Sequence, residues 1–189
     1  MTDDRPGDAD IGASVPARVS VPAPDPRPEA LLDRYGDAIR NENAFELDAE
    51  AFESARRRAE RGWGVGAFVV HESRALLVRQ DGTWFLPGGM LEPDETPAEG
   101  AAREVREETG IEVEIAARPS ISKQTFVSGE DAFTFYFATF DATPATTEPA
   151  EDPGLDGEGI AAVEWRETIP ADTYDRELVL ALLDRGESS

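Results

Sequence analysis

The 189-residue chain is predicted to fold as an α/β domain, on three observations. Short runs of β-branched and aromatic residues alternate with turn signals, a capped amphipathic helix interrupts them midway, and a second amphipathic helix follows the last strand. The length suits one domain of ordinary size with a full core and some extra residues at one end, and excludes two large domains.

Taken in order, residues 1–27 are rich in Pro, Asp, Ala and Gly without periodicity and read as a flexible acidic tail. A helical extension over residues 28–62 follows. Its first helix covers Pro28 to Arg40, and its second is N-capped by Asp48 and runs through Ala51, Phe52 and Ala55 to Gly62. Arg56, Arg57, Arg58 and Arg61 lie near the end of that second helix, where they complement its dipole and the acidic surface or else contact substrate or nucleic acid. Residues 63–185 form the main domain. Gly64 to Val70 and Ala75 to Arg79 read as strands joined by a turn at Glu72-Ser73, and Asp81-Gly82 marks the next turn. Further strands are expected at Ile111 to Ile115, Ser122 to Val127 and Ala132 to Phe140, with Phe133, Phe135 and Phe137 alternating onto one face. A loop rich in proline and acidic residues, Thr143 to Glu158, precedes a strand at Ile160 to Arg166 and a closing helix at about Tyr174 to Asp184.

The central helix carries the chemistry. Thr96-Pro97-Ala98-Glu99 combines capping-box spacing with proline at the first helical position, and Gly110 supplies a helix stop, so the helix should span Pro97 to Thr109. At 3.6 residues per turn Ala98, Ala101, Ala102, Val105 and Thr109 share a buried stripe, while Glu104, Glu107 and Glu108 share the opposite one. Carboxylates three and four residues apart repel one another unless a cation lies among them. A hard divalent ion suits such a cluster, since Mg²⁺ prefers carboxylate and water oxygens and bridges to phosphates. Arg103 can hold a glutamate through a bidentate contact. Gly88-Gly89 lets a backbone group approach an ion or phosphate closely.

The stretch Gly89, Glu95, Arg103, Glu104, Val105, Glu107, Glu108, Gly110 and Ile111 fills every specified position of the Nudix box, and the chain resembles the Nudix (MutT-like) hydrolase family from about Trp63 to Arg185. The resemblance implies a mixed-sheet α/β/α sandwich and metal-assisted hydrolysis of a nucleoside diphosphate linked to another group. It implies Mg²⁺ or Mn²⁺ held by Glu104, Glu108 and Glu107, with Glu107 as a further ligand or as the base, and a carbonyl of Gly88 or Gly89 completing the set. Glu95 and Arg103 would orient the site. Outside the box Arg79 faces the box loop, where it clamps a phosphate or makes a surface ion pair. Lys123 is either a cleft cation or a solvated side chain. Glu158 or Asp156 on the acidic loop is a candidate general base or substrate contact, and Trp84 and Phe126 stack on a base or simply pack in the core. The substrate class stays open among nucleoside triphosphates, dinucleotides and nucleotide sugars. The other reading is a regulator that senses a nucleotide without hydrolysing it, a class that typically loses box glutamates retained here.

There is no cysteine, which excludes disulfides, thiolate metal sites and cysteine nucleophiles, and the lone His71 reads as a strand-end residue. The formal net charge is -22, and of 18 basic residues only Lys123 is a lysine. This usage resembles that of proteins from halophilic organisms, whose self-repulsion is screened at molar salt. So negative a surface disfavours stable binding to nucleic acid or anionic lipid. No apolar run approaches the roughly 18 residues that span a membrane, and the start of the chain lacks a signal-peptide core. The expected partner is a small-molecule nucleotide, the expected setting cytoplasmic, and a homodimer is left open.

Overall fold

A mixed sheet sandwiched between helices organises the chain, as seen in a computed structural model that describes residues 40–60, 62–154 and 159–187. The strands are β1 (Arg40–Glu46), β2 (Gly64–His71), β3 (Arg74–Gln80), β4 (Thr83–Phe85), β5 (Gly88–Met90), β6 (Val113–Ser128), β7 (Asp131–Pro144) and β8 (Ile160–Arg166). The helices are α1 (Ala49–Ala59), α2 (Pro97–Thr109) and α3 (Arg176–Glu187). The sheet runs β1-β6-β7-β2-β3-β4, with β5 added to β2 and β8 to β3. β1 is parallel to β6 and β2 is parallel to β7, while every other pairing is antiparallel.

Local sequence explains most of this. Glu72 and Ser73 both take positive φ, as do Asp81 and Gly82, so each pair makes a two-residue turn whose twist matches the flanking strands. β6 and β7 close through Gly129, with Ser128 opposite Asp131. The two strands expected over residues 111–115 and 122–127 are one strand, because a register shift between Ile115 and Pro119 absorbs the irregularity without ending the pairing.

Alternation along the strands sends side chains to two layers. Val65, Ala67 and Val69 of β2, with Ile121, Ala138 and Phe140, bury α2 through Ala101 and Val105. The opposite face carries Phe68, Leu77 and Trp84 under Leu178, Val179 and Leu182 of α3, while Phe133 meets Phe52 of α1. Burying a side chain such as Val105 or Leu182, each no more than 1% exposed, stabilises by about 1.5–3 kcal/mol.

The N-terminal region departs from expectation. The tail and nearly all of the first expected helix lie outside the described residues, and a strand, β1, precedes the second helix. That helix starts at the expected cap, with the Asp48 carboxylate accepting from the Ala51 N–H at 2.8 Å, but it ends at Ala59 rather than Gly62. Its Arg56 pairs with Glu53 at 3.7 Å and Glu60 at 4.0 Å on the surface. Among the described residues no helix is long and apolar enough to cross a membrane.

Candidate active site

Helix α2 is fixed at both ends by its own sequence. The Thr96 hydroxyl accepts from the Glu99 N–H at 3.3 Å, and the Thr96 N–H donates to the Glu99 carboxylate at 2.9 Å. The Thr96 hydroxyl donates to the same carboxylate at 2.7 Å, and this bond, with the one from the Thr96 N–H, holds the Glu99 carboxyl below its ordinary range. Gly110 ends the helix at φ 74°, and a Cβ there would lie 2.6 Å from that of Ala150. The helix is thereby locked in rotation, which decides what its glutamates face.

One arginine gathers most of them. Arg103 Nε donates to Glu95 Oε1 at 2.8 Å and Nη2 to Glu95 Oε2 at 3.1 Å, a bidentate pair. Nη1 reaches Glu104 at 2.9 Å and Glu107 at 2.8 Å, and Nη2 also donates to the Met90 carbonyl at 2.9 Å. The bond from Arg103 holds the Glu95 carboxyl below its ordinary range, against the opposing effect of burial and with help from the Glu92 N–H. The same contacts, led by Glu95, push the Arg103 guanidinium further up, so it stays charged at every accessible pH.

The expected division of α2 into a buried and an opposite acidic stripe needs correction. Glu104 and Glu108 are buried, at 7% and 9% exposure. Strand β5 folds back against the helix and covers them: the Gly88 N–H donates to Glu108 Oε2 at 2.9 Å, and a Cβ on Gly89 would meet the Glu104 carboxylate at 2.6 Å. Pairing of Gly88 with Gly66 and of Gly89 with Val65 holds β5 in place. Glycine at position 89 is thus a requirement of close approach. Gly100 plays a similar part, since a Cβ there would crowd Leu91, Val65 and Glu95 within 2.9–3.1 Å. Gly100 and the Met90 carbonyl were not anticipated, although a glycine inside a strong helix is a readable sign of close packing.

Glu95, Arg103, Glu104, Glu107, Glu108 and Gly89 therefore form one contiguous cluster. Its donors are carboxylate and backbone oxygens, the set that hard divalent ions prefer. Among the described residues no three acidic or imidazole side chains already converge as a cation cage, because Arg103 draws Glu95, Glu104 and Glu107 to itself.

The other anticipated residues lie elsewhere. Arg79 is exposed, with its guanidinium 5.5 Å from the centroid of Trp84, and Arg166 lies 4.6 Å from the same ring. Lys123 sits beside Glu42 at 3.5 Å, where β6 pairs with β1. Glu158 and Asp156 fall outside the described residues. Trp84 is core, at 3% exposure, and Phe126 stacks on Phe45 and Phe133. His71 is the last residue of β2 and packs near Trp165.

Residues 60–177 match the NUDIX domain. A MutT-like protein of Streptomyces ambofaciens is 52% identical over 62 residues, covering 32% of this chain and 40% of that protein. An 8-oxo-dGDP phosphatase of Danio rerio is 26% identical over 167 residues, covering 83% of this chain and 48% of that protein. The chain thus spans less than half the length of these two relatives. A solved NUDIX hydrolase from Nitrosomonas europaea is 26% identical with a TM-score of 0.49, covering 66% of this chain and 69% of that one. With the domain match spanning well over half of its residues, including all of α2 and β5, the chain belongs to the Nudix family.

Proposed function

We propose that the protein hydrolyses the pyrophosphate bond of a nucleoside diphosphate linked to another group, with Mg²⁺ or Mn²⁺ as cofactor. Nucleoside triphosphates, dinucleotides and nucleotide sugars are the candidate substrates. The observation that carries this reading is that Glu108 and Glu104 lie against Gly88 and Gly89 while Arg103 holds Glu104 and Glu107 beside them.

Glu104, Glu107 and Glu108, with the Gly89 carbonyl, would hold the ion. When bound, it would neutralise charge on the pyrophosphate and make water acidic enough to attack near neutral pH. Glu107 is the most exposed of these three carboxylates, with 22% of its side chain accessible, and so is the best placed to accept a proton from water. Glu95 and Arg103 act by position: the bidentate pair anchors the guanidinium, and the guanidinium aims Glu104 and Glu107. Arg79 beside Trp84 and Lys123 beside Glu42 are solvent-accessible cations, the candidates for further substrate contact.

The test is release of phosphate or nucleotide from a panel of nucleoside diphosphate derivatives, in KCl at about 1 M to screen the surface charge. The panel begins with 8-oxo-dGDP, because the Danio rerio relative is named as a phosphatase of that compound. Turnover should need the divalent ion and stop with a chelator. Glu107→Gln should lower kcat by roughly 100-fold or more; full activity in that variant would overturn the role given to Glu107. Tight nucleotide binding without turnover of any panel member would favour the sensing regulator.

A further inference from the structure

Strand β5 has three residues, and its place decides how the α2 glutamates are met, because the Gly88 N–H donates to Glu108 and Gly89 abuts Glu104. So short a strand holds itself weakly. Its pairings with β2, from Gly64↔Met90 to Gly66↔Gly88, are flanked by two further bonds. The Ala67 N–H donates to the Pro87 carbonyl at 3.0 Å, and the Leu91 N–H donates to the Trp63 carbonyl at 2.8 Å. One side chain packs across this join. Phe137 of β7 is the partner of Gly64, and its half-buried ring lies over a notch that three glycines leave open. A Cβ on Gly64 would lie 2.7 Å from Phe137 Cε2, one on Gly66 3.1 Å from Cε1 and Cζ, and one on Gly88 3.0 Å from Cζ. Gly64 and Gly66 are two apart on β2, so both turn this open side to the same face of the sheet. The ring thereby bridges from β2 to β5, in room that only glycine at these positions leaves free.

We propose that Phe137 is a positioning residue of the active site, whose ring braces β5 so that the Gly88 N–H meets Glu108 and the Gly89 backbone meets Glu104. The proposal rests on the reading of these glutamates as metal ligands, and it adds a residue outside the box that acts through β5. The physical case is one of fit. A flat ring laid on bare backbone makes dispersion contacts over its whole face, and no glycine side chain competes for them. Without the ring the notch is a void, and the three-residue strand beside it is the part of the sheet most able to relax into it. Gly88 would move first, because its open side faces Cζ. A shift of that kind lengthens and bends the 2.9 Å bond to Glu108, a bond to a charged group and so worth more than a neutral one. A carboxylate released from that bond no longer has one fixed orientation to offer a cation.

The test compares the full chain with Phe137→Ala, Gly64→Ala and the double variant. The methyl of Gly64→Ala has atoms of Phe137 and Phe135 as its nearest neighbours, so it acts by displacing the ring. The first readout is amide hydrogen exchange followed by NMR, without metal or nucleotide. Both single variants should speed exchange of the Gly88 amide roughly tenfold or more, while the amides of Ala138 and Thr139, in the β2–β7 pairing, change little. The double variant should be no faster than Phe137→Ala alone, because both changes act through one ring. The second readout is Mn²⁺ binding without nucleotide, followed by electron paramagnetic resonance, which Phe137→Ala should weaken roughly tenfold. Phe137→Leu keeps apolar bulk but loses the flat face; it should show the same pattern in smaller measure, and it replaces Phe137→Ala if that variant does not fold. Unchanged exchange at Gly88 would overturn the proposal. So would an equal acceleration along β2 and β7, the mark of general loosening, or weakened nucleotide binding with Mn²⁺ affinity unchanged, the mark of a substrate contact. If the wild type bound no Mn²⁺, the metal reading would fail and the exchange rates would still decide the role of Phe137.

Discussion

At the scale of single residues, Arg103 is a positive charge on which three carboxylates depend. Its own side chain is 14% exposed, and those of Glu95, Glu104 and Glu107 are 9–22% exposed. Water screens such groups poorly, so deleting the guanidinium leaves uncompensated negative charge close together. Arg103→Met should lower stability by about 3 kcal/mol in urea unfolding without divalent ions. Added Mg²⁺ should then raise the variant's Tm more than that of the wild type, because a cation among the carboxylates replaces the lost charge. An equal rise in both proteins would contradict this arrangement. The pH dependence has a defined sign. Arg103 lowers the Glu95 pKa from its ordinary value of 4.5, so the stabilisation is fully present above that value and is lost as pH falls through the lowered one. The gap between wild type and variant should narrow in that acid range. Helical spacing brought Glu104, Glu107 and Glu108 together and the box pattern added Glu95, but the burial of Glu104 and Glu108 was not legible. A helical wheel places Glu108 beside Ala101 at the margin of the apolar stripe and Glu104 further round, and the return of β5 across the helix covers both.

At the scale of elements, legibility followed local chemistry. Helix α2 was readable to the residue because its limits are set by Thr96, Glu99 and Gly110, which act within one turn of the chain. Strand β1 was hidden for the opposite reason. Its inward positions are Asn41, Asn43 and Phe45, so the alternation that marks a strand is carried mainly by amides, and their partner Asp175 is 134 residues from Asn41. The caps of α2 can be tested separately. Thr96→Ala removes the capping hydroxyl and should cost about 1 kcal/mol. Gly110→Ala places a side chain at φ 74° and a Cβ 2.6 Å from that of Ala150, and should cost about 1–2 kcal/mol or more. The two positions lie at opposite ends of the helix and share no contact, so the double variant should lose about the sum, within roughly 0.5 kcal/mol, in urea midpoints at constant m. A much smaller loss would mean that the caps do not independently set the helix limits.

At the scale of the whole molecule, net charge governs how the fold responds to its solvent. Forty acidic residues face 18 basic ones, and among the described residues Arg74 with Glu72, Arg166 with Glu164 and Lys123 with Glu42 pair at the surface. Exposed pairs of this kind contribute about 0–1 kcal/mol each and leave most of the negative charge uncompensated. Self-repulsion should therefore destabilise the compact state in dilute buffer, and mobile ions should relieve it as the Debye length falls from about 10 Å at 0.1 M salt to about 3 Å at 1 M. Tm is expected to rise between about 0.1 M and about 3 M KCl, with most of the gain complete near 1 M, where screening is already nearly saturated. The measurement is a thermal melt followed by circular dichroism at fixed pH without divalent ions, so that filling of the α2 glutamates does not contribute. Equal or lower stability at high salt would rule out an adaptation to salt, and would mean that the surface acids are spaced too widely for their repulsion to matter.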